Sequence, residues 1–383
     1  MSCKNCKNDI NMREKTKILS MYLPQYHCIP ENDEFWGKGF TDWVTVKKAR
    51  PLFRGHEQPK VPLNENYYDL SQTENVRWQA NLAREYGIDG FGIYHYWFNN
   101  EKNLLTKPAE IILENKDIDI DFFFAWDNAN WKRSWSNVEG NDWAPAMEKG
   151  KAKRGEPIIL IPYILGEKKD WENHYRYVSR FFADERYIKR DNKPIFVIFG
   201  YNEAIQEMCD YWDELACNDG YNGMFFIYKY NSNCELLNSK SVFKYEPIFS
   251  GWKNTNSLLL RLLDKVIRRI GLRSNINLYS YDDVWSNIIN NTSLMPRSDC
   301  YSGAFVSYDD TPRRGKRGTV IYGATPEKFE RYMSKLFEIC NEQGKDYIFL
   351  TAWNEWGEGA YLEPDSVYGV RYLQALKNVI SKK

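Results

Sequence analysis

The segment from Tyr347 to Gly359, YIFLTAWNEWGEG, decides the reading of this chain. Its first half is a continuous apolar run, the pattern of a strand covered on both faces. Its second half turns polar at once and sets Asn354, Glu355 and Glu358 among Trp353 and Trp356. Reactive side chains at the end of a buried parallel strand point to an α/β barrel, where sites form at the strand ends and the loops that follow them.

Working outward, seven more segments share this apolar, β-branched and aromatic character. They are Ile18 to Tyr26, Gly90 to Trp97, Phe122 to Trp126, Ile158 to Ile164, Ile195 to Phe199, Phe225 to Tyr230 and Ala304 to Ser307. Helical patterns separate them. Ser71 and Glu74 have capping-box spacing, and a helix through Val76, Ala80 and Ala83 can end at Gly87. Thr325 and Pro326 read as N-cap and first helical residue, followed by an apolar stripe of Phe329, Tyr332, Met333, Leu336 and Cys340 that closes at Gly344. Eight strands alternating with helices predict an α/β fold, a closed (β/α)8 TIM-type barrel with long βα loops. A doubly wound open sheet is the alternative, but no glycine-rich phosphate turn follows the first strand. The 383 residues suit a single catalytic domain over 17–383 behind a frayed terminus, 1–16. The longest loop, Cys28 to Leu70, carries Trp36, Phe40, Trp43, Phe53, Tyr67 and Tyr68, which either pack it onto the barrel or line a binding surface.

Composition narrows the function. Fifty-two basic and 52 acidic residues cancel, so no global field holds nucleic acid. Aromatic content is 16%, with 14 Trp and 27 Tyr, many beside Asn, Asp, His or Gly. Flat rings next to polar groups suit a sugar, which has C–H faces and a hydroxyl rim. Eight scattered Cys include one C-x-x-C pair, Cys3 and Cys6, in a polar stretch without a second pair; with four His lacking ligand spacing, no metal and no cofactor are expected. Asp117, Asp119 and Asp121 alternate into the third strand and read as solvated. No apolar leader and no spanning run is present, so a cytoplasmic protein is expected. Residues 257–273 form an amphipathic, basic pattern with Arg261, Lys265, Arg268, Arg269 and Arg273, which reads as a helix packed on the barrel or as a peripheral contact with an anionic membrane. Oligomeric state stays open.

The strand ends are chemically loaded, whereas the helix-to-strand junctions are not. The ends supply Tyr22, Gln25, Tyr26 and His27; Tyr94, His95 and Trp97; Trp126, Asn128 and Trp131; Tyr163; Tyr228; Asp309 and Arg313; and Trp353, Asn354 and Trp356. These are the candidate substrate-binding residues, with Asp309 and Arg313 read first as a mutual ion pair. Glu355 and Glu358 are the candidate catalytic residues. Cleaving a glycosidic bond requires a proton on the leaving oxygen and a base or nucleophile opposite, and two carboxyls in different surroundings supply both. Gly357 and Gly359 allow the turn that lets them converge, and Trp353 and Trp356 can desolvate one of them.

At these residues the chain resembles the WbsX-type proteins, which are similar to glycoside hydrolase family 99. The likeness runs from about Ile18 to Leu376. It is carried by Tyr-Leu-Pro-Gln-Tyr-His from Tyr22, Gly-Phe-Thr-Asp-Trp from Gly39, Gly-Ile-Tyr-His-Tyr-Trp-Phe from Gly92, Trp126 to Trp131, Asp310-Thr-Pro-Arg, and Ala352 through Asp365. The resemblance implies a (β/α)8 barrel. It also implies that Glu355 acts as base on a sugar 2-hydroxyl and Glu358 protonates the leaving oxygen, through a 1,2-anhydro sugar with retention. Family 99 proper carries a His where this chain has Gly357. WbsX-type proteins are associated with O-antigen, lipopolysaccharide and capsule biosynthesis. Three functions follow as expectations: a glycosidase acting on such a polysaccharide or its lipid-linked precursor, a glycosyltransferase or transglycosylase at the same site, and a non-catalytic glycan-binding protein.

Overall fold

The computed structural model describes residues 15–132, 159–251 and 276–382. Eight parallel strands close into a barrel: β1 Lys17–Tyr22, β2 Gly90–Asn99, β3 Asp121–Trp126, β4 Lys193–Ile198, β5 Phe225–Lys229, β6 Val242–Phe243, β7 Cys300–Phe305 and β8 Tyr347–Thr351. Each pairs with its neighbour in chain order, and β8 returns to β1 through Lys17↔Tyr347. Closure removes both sheet edges, so no backbone row is left unpaired. Inside, rings from different strands fill the barrel: Phe349 lies 4.8 Å from Phe243 and 5.9 Å from Phe123.

The barrel expected from sequence is the one present, with one strand exchanged. Ile159–Ile161 pairs antiparallel with Trp131–Lys132, outside the barrel. Its apolar residues mislead, since Ile159 and Ile164 are half exposed. The true sixth strand is β6, only two residues long, joining β5 through Val242↔Tyr228 and β7 through Val242↔Cys300. Two residues are too few to show a pattern.

Helices cover the outside. Pro326–Glu342 begins as expected, with the Thr325 hydroxyl accepting the Lys328 N–H, and ends before Gly344 in a left-handed conformation (φ 65°). The Ser71 capping box does not form. The Ser71 N–H is taken by Asp69 Oδ1, and the helix starts at Thr73. Asp117 and Asp119 are exposed and pair with Arg77 and Arg84 on the outer surface. Residues 257–273 and the Cys3–Cys6 pair lie outside the described residues. Among the described residues, no helix is long and apolar enough to cross a membrane.

The loop after β1 folds into two short helices, Pro30–Trp36 and Asp42–Lys48. Trp43 anchors it. Its indole N–H donates to the Tyr68 carbonyl at 2.8 Å, and its ring lies 4.6 Å from Tyr26 and 5.5 Å from Trp356. The loop therefore has its own small core, and that core rests on the segment after β8.

The barrel is tight where β7 passes β6. A Cβ at Gly303 would lie 2.0 Å from the Lys244 carbonyl oxygen and 2.8 Å from Glu246 Cγ. Backbone cannot yield as a side-chain tip can, so Gly303→Ala is expected to destabilise the protein by about 3 kcal/mol. Urea unfolding followed by tryptophan fluorescence measures it; a change under about 1 kcal/mol would show that the strands part easily.

Candidate active site

Beyond β8 the chain makes a tight loop. Asn354–Glu355 pairs antiparallel with Ala360–Tyr361, and Trp356–Glu358 forms a single 3-10 turn between them. The loop is sewn to the end of β1. Asn354 donates to the Leu23 carbonyl at 3.0 Å and accepts the Leu23 N–H at 2.7 Å. The Tyr26 hydroxyl donates to the Asn354 carbonyl and accepts the Trp356 N–H. All of these groups are buried, so each bond replaces one that water cannot make there.

Glu355 is buried at the barrel mouth. Its Oε1 accepts the Tyr94 hydroxyl at 2.6 Å, and the Tyr245 hydroxyl lies 3.2 Å from the same oxygen and 2.7 Å from Tyr94. Burial first, and the Glu358 charge second, push the Glu355 carboxyl up to about 8, against the two tyrosine hydrogen bonds and Arg313. Burial thus favours its neutral form. Both phenols lean on Oε1, which leaves Oε2 for a proton.

Glu358 has a different setting. Its side chain keeps 19% exposure, and Oε1 accepts Arg313 Nη1 at 2.6 Å. Arg313 is buried and also donates to Asp42, through Nη2 at 3.1 Å and Nε at 3.3 Å. Burial works against the Arg313 charge, yet Asp42 and Glu358 hold its pKa well above the ordinary value. Gly357 makes this possible: a Cβ there would lie 2.5 Å from Asp42 Oδ2 and 2.6 Å from Arg313 Nε. The Gly357 N–H instead donates to Asp42 at 3.1 Å.

The expected Asp309–Arg313 pair is not formed. Asp309 turns away and accepts from His56 at 2.8 Å, Gln58 at 2.6 Å and the Thr311 N–H at 3.0 Å. Arg313 turns to Asp42, which offers two oxygens to the guanidinium's fork.

The other candidates divide by face. Successive side chains of a strand point to opposite sides. On β2, Tyr94 points to Glu355 while His95 and Trp97 point outward to the helix Lys168–Phe182. There His95 shares a hydrogen bond with His174 (2.8 Å), and the Trp97 ring stacks on His174 at 4.5 Å. Trp126 joins them, its indole donating to the Trp97 carbonyl. Tyr22 points outward to Gln79 at 2.6 Å, and Tyr228 outward to Cys209. Gln25, His27 and Trp353 are buried, and the Gln25 carbonyl accepts the Asp42 N–H. Trp356 stacks on Tyr361 at 3.7 Å and donates to Glu363 at 2.6 Å. Asn128 ties β3 to the end of β4 through both groups of Gly200. Half-buried Trp131 meets Tyr96 edge-on at 5.4 Å, and half-buried Tyr163 meets Trp126 at 5.7 Å.

Three groups at the centre were not singled out from sequence. Tyr245 follows the two-residue β6, which gave no strand signal to mark it. Asp42 sits inside a loop helix, where one more acid looks solvated. Glu363 lies on the far side of the loop, buried and pushed up to about 7 by desolvation, and it accepts from Tyr68, Gln79 and Trp356.

A family model described as Glycosyltransferase WbsX matches residues 18–376. Two curated relatives, both described as uncharacterized protein WxcX from Xanthomonas campestris pv. campestris, are 26% and 27% identical over 95% of this chain. The match takes in 50% of their length, so the chain spans about half of these relatives. Among solved structures, a family 99 endo-α-mannosidase from Bacteroides thetaiotaomicron superposes with a TM-score of 0.55 and 13% identity, covering 95% of this chain and 96% of that one. A glycoside hydrolase-like protein gives 0.56 and 13%, covering 96% and 94%. At this identity the superpositions establish the barrel.

Two outcomes follow from the electrostatics. Glu358→Gln removes a raising charge and should lower the Glu355 pKa, whereas Tyr94→Phe removes a lowering hydrogen bond and should raise it. Carbon-13 carboxyl titration by NMR reads both; shifts of the same sign would contradict this wiring. Glu246, Glu355 and Glu363 hold protons in the folded protein up to about 7, 8 and 7 and release them on unfolding, where Glu titrates near 4.3. Burial also holds His95 and His174 neutral, and their protonation in the unfolded chain offsets part of this only near pH 6.5. Stability should thus fall by about 2–4 kcal/mol between pH 6.5 and 8. Chemical denaturation at each pH measures it, and a flat or rising profile would refute the assignment.

Proposed function

The chain belongs to the WbsX glycosyltransferase family, and from that premise we propose that it is a carbohydrate-active enzyme whose Glu355 and Glu358 work on a glycosidic bond. The substrate class is a bacterial O-antigen or capsular polysaccharide or its lipid-linked precursor. The observation that carries this reading is the unlike pair at the barrel mouth: Glu355 buried against Tyr94 and Tyr245 with its pKa pushed up to about 8, and Glu358 partly exposed on Arg313. Two carboxyls whose surroundings separate them are what acid and base roles at one bond require.

The reaction needs one proton on the pair, and in the free protein burial favours the neutral form of Glu355. For the reaction that proton is carried by Glu358, and the sugar takes the place of Arg313 Nη1 at its Oε1. Glu358 then gives it to the leaving oxygen as the C1–O bond breaks. Glu355 takes the 2-hydroxyl proton, and the sugar's O2 closes on C1. Water, or an acceptor hydroxyl, opens the anhydro ring at C1 as Glu358 takes its proton and Glu355 returns one to O2. The product retains configuration by either route, so one site serves hydrolysis and transfer. The family's description favours transfer.

Glu355→Gln and Glu358→Gln should each lower turnover of a surface-polysaccharide substrate by about 10³-fold or more while circular dichroism stays unchanged. Near wild-type turnover in either variant would sink the proposal. Mass spectrometry of products with and without an added sugar acceptor separates transfer from hydrolysis.

A further inference from the structure

A cavity of about 320 Å³ opens beside the same loop. It is walled by Gly359, one residue beyond Glu358, by Tyr308 and Tyr322 from the loop after β7, by His56 from the loop after β1, and by Tyr368 and Tyr372 beyond β8. The same three loops supply Asp42, Arg313 and the two glutamates. The volume lies at the low end of the range for ligand sites, about 300–1,000 Å³, and suits one sugar ring with its waters.

The lining selects the ligand by elimination. Its charged groups are already engaged: His56 with Asp309 at 2.8 Å, Lys60 with Glu57 at 3.1 Å, and Asp365 with the Tyr361 hydroxyl at 2.8 Å and the Val367 N–H at 2.9 Å. An anion is disfavoured there, because Glu57, Asp309 and Asp365 outnumber Lys60, and carboxylates of this kind can accept hydroxyl hydrogen bonds. Tyrosines dominate the rest of the lining, Tyr308, Tyr322, Tyr361, Tyr368 and Tyr372, with Tyr322 55% exposed. Such a surface fits a neutral polyol with an apolar C–H face. The Ser307 hydroxyl donates to the Gly359 carbonyl at 2.5 Å, so the wall nearest Glu358 is fixed in place.

We propose that this cavity is a saccharide subsite, holding a neutral sugar unit of the same glycan chain away from the bond that reacts. For its place along the chain it rests on the reading of the Glu355–Glu358 pair; for binding it does not. Saturation-transfer-difference NMR on the full chain tests it, with the methyl α-D-glucopyranoside, galactopyranoside and mannopyranoside as separate probes at millimolar concentration. At least one probe should receive saturation from wild type and equally from the Glu355→Gln/Glu358→Gln double variant. Tyr322→Ala, at an exposed position that leaves the fold intact, should weaken that binding about fivefold, and Tyr368→Phe, which removes only a hydroxyl, should weaken it less. Undiminished binding by Tyr322→Ala, binding lost in the double variant, or no transfer to any probe from wild type would overturn the subsite. Binding that persists in the double variant while the wild type turns over no glycan would sink the catalytic reading alone.

Discussion

One buried guanidinium serves more carboxyls than it can neutralise. Arg313 lies among Asp42, Glu358 and Glu355, and it bonds directly to the first two. A buried charge without a partner is costly, so a single cation cannot hold three anions. The third carboxyl, Glu355, is desolvated, and burial favours its neutral form. The asymmetry of the pair thus follows first from the burial of Glu355 and then from the bond between Glu358 and Arg313.

The rest of the mouth holds the loop that carries the two glutamates in place. Asn354 and Tyr26 fix the loop after β8 to the chain after β1. Trp43 then packs its own loop against Trp356, bringing Asp42 beneath Gly357. A Cβ at Gly357 would press on both Asp42 and Arg313, so an ion pair drawn from two other loops takes the space beside the loop that holds the two glutamates.

Much of the aromatic surplus serves the wall behind the site. His95, Trp97, Trp126 and His174 form one buried cluster outside the barrel, where burial holds both histidines neutral. Indole and imidazole are useful there because each fills volume and still satisfies a polar neighbour. The composition that suggested sugar binding is therefore divided between support and surface, where Tyr322 is half exposed.

The sequence by itself determined the barrel, the polarity of its two ends, and the segment that holds the glutamates. Apolar runs, caps and strand-end chemistry are local signals, and they survive in any window long enough to show a period. It misplaced one strand because β6 is shorter than a period while Ile158 to Ile164 resembles one. Only the tertiary structure decided which strand-end residues face the mouth, since the alternation that sends Tyr94 inward and His95 outward depends on how the sheet closes. Closure alone also brought Asp42, Arg313 and Tyr245 to Glu355 and Glu358. Those contacts join residues far apart in the chain, and a long-range charge pairing leaves no mark on the local pattern of either partner.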